Sequence, residues 1–346
     1  MNLNKLVADK LCKRLESAIE NNEQFYWIKP FAKGCPRTGA VSFESRKNYR
    51  GINRVLLDPS KEMVSHGSLM ALRKKHPDKG YHIRKGTHGN IVIYFKRVPV
   101  MDENGEPKMD EHTGLPVTKS FARYYTVFDR EDIIDNQGVN LPSKFPIEQY
   151  DHTSEEEQLE MALLKFNAIV KSYCDKYNIT IEETNQGTEA YFMPSQNKVR
   201  IPAKSCFSSL GSWMGCFFHE LVHSSMLPLG RNKIDKGVPL EETMKSYSVE
   251  ELIAELGSAM LMASLNLPES EERERQNLAY LQGWSKELAN NKQLQASLIY
   301  AASQAEKAAE LIMSEFERNL EQLENQNNKE QEENDRYDKD EELKDR

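Results

Sequence analysis

GCFFHELVH, residues 215–223, is the stretch that decides how the second half of this chain folds. Its HExxH spacing sets His219 and His223 one turn apart on a single helical face, so both imidazoles can reach one metal ion. Glu220 sits beside them, where a carboxylate can take a proton from water. The preceding WMGCFF, 213–218, is apolar enough to bury that helix and hold the two histidines in a dry cleft. Two ligands are too few, because a catalytic zinc takes three protein ligands and leaves one position open. YSVEELIAELGSAML, 247–261, reads as a second helix and carries Glu250, Glu251 and Glu255. A solvated acidic face explains poorly why glutamates sit in so apolar a run. Glu251, 28 residues after His223, is the expected third ligand. Glu255, one turn on, would hydrogen-bond a ligating histidine from outside. Glu250 stays open as the alternative ligand, since neighbouring residues differ by about 100° around a helix. Upstream, AYFMPSQNKVRIP, 190–202, offers an edge strand that can receive an extended substrate by strand addition.

The rest of the chain bounds that reading. At 346 residues, two domains are expected. The chain is 38% apolar and its mean hydropathy is -0.70, so a core is affordable but part of the chain is solvated. No apolar run approaches the roughly 18 residues of a membrane span, and no membrane partner is expected. In MNLNKLVADKLCKRLESAIE the apolar residues are spaced along one stripe, which makes an amphipathic helix rather than a signal peptide. Five scattered cysteines without a CxxC pair fit a reducing compartment, and the expected location is cytoplasmic. The net charge of -8 hides an asymmetry: residues 1–130 hold 24 Lys and Arg against 14 Asp and Glu, and the remainder 22 against 40. A polyanion would meet the front.

The organisation expected is α+β. An N-terminal α+β domain spans residues 1–135, with strands in YHIRKGTHGNIVIYFKRVPV and a returning strand plus helix start in SFARYYTVFDREDI. A Pro- and Gly-bearing linker covers 136–154. A mostly helical domain with a small sheet covers 155–326, with helices around 207–226, 249–264, 270–290 and 293–326. Residues 327–346 form an acidic, solvated tail with almost no apolar residues.

The front interleaves basic and aromatic residues, as a nucleic-acid surface does. FYWIKPF offers Trp27 and Lys29; SRKNYRGIN offers Arg46, Tyr49, Arg50 and Asn53; IRKGTHGN puts Arg84 and Lys85 in a Gly-rich turn that can face phosphate. About half of the aromatics, Phe95 and Phe121 among them, read as strand core. Composition alone does not separate single-stranded DNA from duplex DNA or RNA.

Taken in order, YWIKPF, YRGIN, IRKGTHGNIVIYFK, YYTVFDREDI, HELVH, YSVEELIAELGSAML, YLQGWSKEL and ASQAEKAAELI resemble the ArdC-type antirestriction proteins of plasmids, phages and other mobile elements. The resemblance runs from about residue 4 to 316. Two departures stand out: the family's PW is Pro30-Phe31 here, and a polar insertion occupies 102–118. The resemblance implies an N-terminal domain that binds single-stranded DNA and a C-terminal zincin-like metallopeptidase domain of the gluzincin type. It also implies protection of incoming DNA from restriction, and peptide hydrolysis on an unknown protein substrate. On that reading His219, His223 and Glu251 hold one Zn2+, or a similar divalent ion, per chain. Glu220 is then the general base, and Tyr247, with Tyr191 as the alternative, stabilises the oxyanion. The rival expectation is a non-enzymatic shield for single strands, its metal site structural or vestigial.

Overall fold

The computed structural model describes residues 3–20, 39–110, 114–144, 154–187, 189–231, 240–265, 267 and 291–344, with scattered positions between 283 and 290. The chain divides into two compact units. The first takes Met1–Asp151 together with Ser270–Ser303, and the second His152–Glu269 with Gln304–Arg346.

In the first unit α1 (Leu3–Glu20) carries the apolar stripe read from its sequence, and Val7, Leu11 and Leu15 on it are fully buried. Then come β1 (Val41–Ser42), α2 (Ile52–Leu56), β2 (Glu62–Ser65), α3 (His66–Lys75), β3 (His82–Ile83), β4 (Asn90–Pro99), β5 (Thr118–Asp129) and β6 (Ile133–Ile134). Four strands make one sheet in the order β1-β2-β5-β4, and β3 pairs with β6 in a second. The hairpin β4–β5 runs from Asn90 opposite Val127 to Pro99 opposite Thr118. Strand alternation splits the core in two. Met63, Val92 and Val127 face one way with Ala40 and Leu57, while Val64 and Phe128 face the other with Leu69, Tyr81 and Ile133. The segment after β5 makes a single 3-10 turn, Arg130–Asp132, and then a strand rather than the expected helix. Pairing of Ile133 and Ile134 with β3 takes precedence over helical extension.

Two aromatics expected in the strand core are not there. Phe95 is 57% and Phe121 44% exposed. Alternation fixes which residues share a face, but both core clusters lie at the β2 end of the hairpin and leave its outer half uncovered.

The second unit opens with α4 (Glu155–Tyr177), started by a capping box between Ser154 and Glu157 and closed by Asn178 in the left-handed conformation. β7 (Thr180–Thr184), β8 (Tyr191–Met193) and β9 (Lys198–Pro202) form a sheet in the order β7-β9-β8, with β8 at an edge. α5 (Leu210–Ser224) and α6 (Leu240–Ala263) follow; α7 (Lys292–Lys344), whose residues up to Ser303 count with the first unit, carries the helix on through the acidic end. Most of the helix expected at 270–290 lies outside the described residues. Phe166 of α4 packs against Trp213, Phe217 and Phe218 of α5 with ring centroids 5.0, 5.6 and 5.0 Å apart. Each such buried aromatic contributes about 1.5–3 kcal/mol and pins α5 by its apolar face. No described helix is long and apolar enough to cross a membrane.

Candidate metal centre

The site rests on how closely α5 and α6 approach. Ser209 caps α5 by accepting from the Ser212 amide. Trp213, Met214, Phe217, Phe218, Leu221 and Val222 bury one side of that helix, which leaves His219 and His223 on its flank. On α6 Gly257 meets Val222: a Cβ there would come within 2.8 Å of the valine methyl. The Ser258 hydroxyl donates to the Gly215 carbonyl at 2.8 Å and ties the helices at a second point. These contacts bring α6 near enough for its glutamates to reach the histidines.

His219 Nε2 and His223 Nε2 lie 3.1 Å apart. Glu251 turns one carboxylate oxygen to each: Oε2 is 3.4 Å from His219 Nε2, and Oε1 is 3.5 Å from His223 Nε2. Four ligands at the ordinary zinc bond lengths of ~2.0–2.1 Å stand about 3.3 Å from one another in a tetrahedron. The spacing of this donor set therefore fits a single divalent cation. Among the described residues these three form the one group of His, Cys, Asp and Glu side chains close enough to share an ion.

The outward nitrogens are also engaged. His219 Nδ1 faces Glu255 Oε1 at 3.5 Å, and His223 Nδ1 faces Glu250 Oε1 at 3.6 Å. Each imidazole is thus steered from behind by a carboxylate, which favours an Nδ1–H tautomer with Nε2 turned to the centre. Between Glu250 and Glu251, the geometry puts Glu251 against both inward nitrogens and gives Glu250 the supporting place. Arg231 explains why: its guanidinium grips Glu250 in a fork at 2.7 and 3.1 Å and also donates to the Val222 carbonyl and the Ser225 hydroxyl. Nothing in the local sequence marks this arginine, which follows the turn after α5.

Burial works against a charged His219, but the bond to Glu251 and the nearby Glu255 and Glu220 charges outweigh it and move its pKa up. For Glu250 burial is likewise the largest influence, and His223 with Arg231 overcomes it to bring the pKa down. Glu220 is 6% exposed. Burial drives its pKa up, against the pull of both histidines and of the Phe192 backbone N–H that donates to it from β8. A carboxylate moved toward neutral pH, beside the donor cluster, is suited to accept and return a proton. Phe192 is a second contributor that sequence reasoning missed, because its part is played by the backbone.

The other expected site residues are placed variously. Tyr247 is on α6, but its side chain lies outside the described residues, as do Trp27 and Lys29 altogether. The Tyr191 hydroxyl accepts from Arg200 at 3.2 Å. Arg46 is exposed with a positive φ of 58°. Arg50 is exposed ahead of Gly51, whose φ of 58° starts α2, and Lys85 is exposed ahead of Gly86 at φ 90°. Exposed Arg84 donates to Asn140 at 2.9 Å. Tyr49 is half-buried against the first core cluster and bonded to Tyr125, and burial above all raises its pKa. Asn53 is spoken for: its amide donates to the Ile93 carbonyl and accepts from the Ile93 N–H, both at 2.7 Å. It caps the edge of β4 with the bonds a strand would make.

Comparison with known proteins bears on both units. Residues 1–128 match the family model for the N-terminal domain of the anti-restriction factor ArdC, and residues 169–304 match that for a zincin-like metallopeptidase. An uncharacterized protein of Sinorhizobium fredii is 26% identical over 88% of this chain and 90% of its own length. A DNA primase TraC of Escherichia coli is 24% identical over 89% of this chain, which spans only 27% of that protein. The metal-free crystal structure of antirestriction ArdC from the R388 plasmid covers 92% of this chain at 24% identity with a TM-score of 0.55, and 99% of that chain is matched. Its Mn(II)-bound form covers 91% at a TM-score of 0.50, with 98% of that chain matched. At that identity the two structures speak to the fold.

Proposed function

We propose that this chain, whose residues 1–128 match the N-terminal domain of the anti-restriction factor ArdC and whose residues 169–304 match a zincin-like metallopeptidase, binds single-stranded DNA with residues 1–135 and cleaves peptide bonds with residues 155–326. It would act in the cytoplasm to protect incoming DNA of a plasmid, phage or other mobile element from restriction, on a protein substrate yet to be identified. The observation that carries the hydrolytic part is the single carboxylate of Glu251 facing both inward histidine nitrogens while Glu220 lies buried beside them.

His219, His223 and Glu251 would hold the ion, zinc in this reading. A Mn(II)-bound form of the R388 protein supports a divalent metal in the family. Such an ion supplies the charge that makes a water acidic near neutral pH and polarises a peptide carbonyl. Glu220 then takes that proton at its carboxylate and hands it to the leaving amine. Glu255 and Glu250 keep the imidazoles turned inward. The edge strand β8 would align an extended peptide by main-chain pairing. Tyr247, or Tyr191, whose hydroxyl accepts from Arg200 and keeps its own proton to give, would donate to the developing oxyanion.

Glu220→Gln, compared with wild type in a restriction-protection assay and a proteome-wide cleavage assay, tests this reading. The expected result is loss of cleavage with metal retained. Full protection by Glu220→Gln with no wild-type cleavage would leave a non-enzymatic shield as the function.

A further inference from the structure

The outer half of the β4–β5 hairpin carries a pattern that the family's site does not explain. Residues paired across an antiparallel ladder lie on the same face. Val92 opposes Tyr125, Tyr94 opposes Arg123, Lys96 opposes Phe121 and Val98 opposes Lys119, so all of these share one face. Beyond the buried Val92 that face is open: Tyr94 is 39%, Tyr125 40% and Phe121 44% exposed. Three rings thus alternate with Lys96, Arg123 and Lys119. The Tyr94 and Tyr125 rings touch at 5.8 Å, and the Lys119 ammonium lies 5.2 Å from the Phe121 ring centroid. Tyr49 bonds Tyr125 at the base of the hairpin and holds that ring in place.

β4 and β5 contain four basic side chains and one acidic one, Asp129, which ends β5 beside β2 and pairs with Lys61, whereas the connection 100–117 holds five acidic residues and one lysine. A polyanion would therefore be attracted across the strands and repelled from the tip. Exposed rings beside unopposed cations are what bases and phosphates need from a surface: a π face for each base and a charge for each phosphate. Same-face positions along a strand recur every ~6.8 Å. That is about twice the ~3.4 Å per nucleotide of a duplex strand, so the pattern suits bases drawn apart from one another.

We propose that the face of the β4–β5 hairpin bearing Tyr94, Phe121, Tyr125, Lys96, Lys119 and Arg123 is a stacking platform for single-stranded DNA. The proposal rests on the single-stranded-DNA reading above and assigns it to a surface distinct from the Arg84-Lys85 turn.

Anisotropy of a fluorescein-labelled oligothymidylate, titrated with the full chain at several salt concentrations, tests it. Tyr94→Ala with Phe121→Ala should weaken binding at least about tenfold without changing the salt slope, because stacking is not ionic. Lys96→Ala with Arg123→Ala should weaken it and flatten the slope of log K against log salt by about 1.4, two contacts at ~0.7 each. Tyr94→Phe with Phe121→Tyr keeps both rings and should bind within about twofold of wild type. As a readout independent of variant stability, bromodeoxyuridine-containing DNA should photo-cross-link to residue 94, 121 or 125 of the wild-type chain. Wild-type binding by the alanine pair, together with cross-links only elsewhere, overturns the platform and leaves the DNA reading intact. Failure of the wild type to bind oligothymidylate overturns both.

Discussion

The α5–α6 pair and the β4–β5 hairpin are both regular elements with chemical side chains along one face, but they hold those side chains in opposite ways. At the α5–α6 pair His219, His223 and Glu251 meet within 3.1–3.5 Å, and each histidine is backed by a further carboxylate. On the hairpin the rings and cations stand largely in solvent. The difference follows from the ligand each would serve. A cation of fixed bond length needs its donors arranged beforehand, since a small misplacement loses a bond. A flexible strand adapts to a loosely held surface, and much of its affinity comes from released counterions rather than from fit. Preorganisation is thus concentrated in one region and slight in the other, where among the described residues only Tyr125 is held by a hydrogen bond, from Tyr49, which predicts unequal responses to substitution.

The largest effect should come from breaking the preorganised site outright. Purified wild type should carry about one metal per chain by mass spectrometry, and His219→Ala with His223→Ala should abolish it, because one carboxylate is left. Near-stoichiometric metal in that variant would sink the site as drawn. Next comes the support behind the ligands. Arg231→Met removes the fork on Glu250, and metal affinity by calorimetry should fall about 10–100-fold, with Arg231→Lys between it and wild type. An unchanged affinity would show that Glu250 needs no anchor. A smaller effect is expected at the helix contact. Gly257→Ala would set a methyl against Val222 and should cost about 1–3 kcal/mol of stability in chemical denaturation.

The surface comparison is sharpened by Arg84→Ala with Lys85→Ala. Single-strand affinity should fall and its salt slope flatten by about 1.4 if both meet phosphate, while metal content stays as in wild type. The smallest effect is expected from the end of the chain. Deleting 327–346, which holds no apolar cluster able to offset the ordering of its backbone, should leave melting temperature, metal content and DNA binding nearly unchanged. A drop of many degrees would mean that this part of α7 is docked.

The sequence made the HExxH helix and its partner helix plain, because HExxH and the glutamates Glu251 and Glu255 of VEELIAELGSAML are spaced at the helical period and sit in apolar runs. The start of α4 is set by local chemistry that the sequence reading did not use, the capping box between Ser154 and Glu157. The choice between Glu250 and Glu251 was not legible, because it turns on Arg231, 19 residues away along the chain and beside Glu250 only once α6 packs on α5. The Phe192 amide was invisible for a related reason: a backbone donor has no letter of its own. Phe95 and Phe121 misled because alternation reports the period of a strand and not how far the core extends along it. Asn53 was singled out only as a nucleic-acid contact, and its bonds to Ile93 were not legible because a side-chain amide stands in for a strand edge only when the chain brings it beside β4.

The central claim, that His219, His223 and Glu251 hold the ion while Glu250 only supports it, is tested most directly by calorimetric zinc titration of metal-stripped Glu251→Gln and Glu250→Gln side by side. The expected result is near-complete loss of binding in Glu251→Gln and a weakening of about 10–100-fold in Glu250→Gln. Loss in Glu250→Gln with tight binding kept in Glu251→Gln would contradict it.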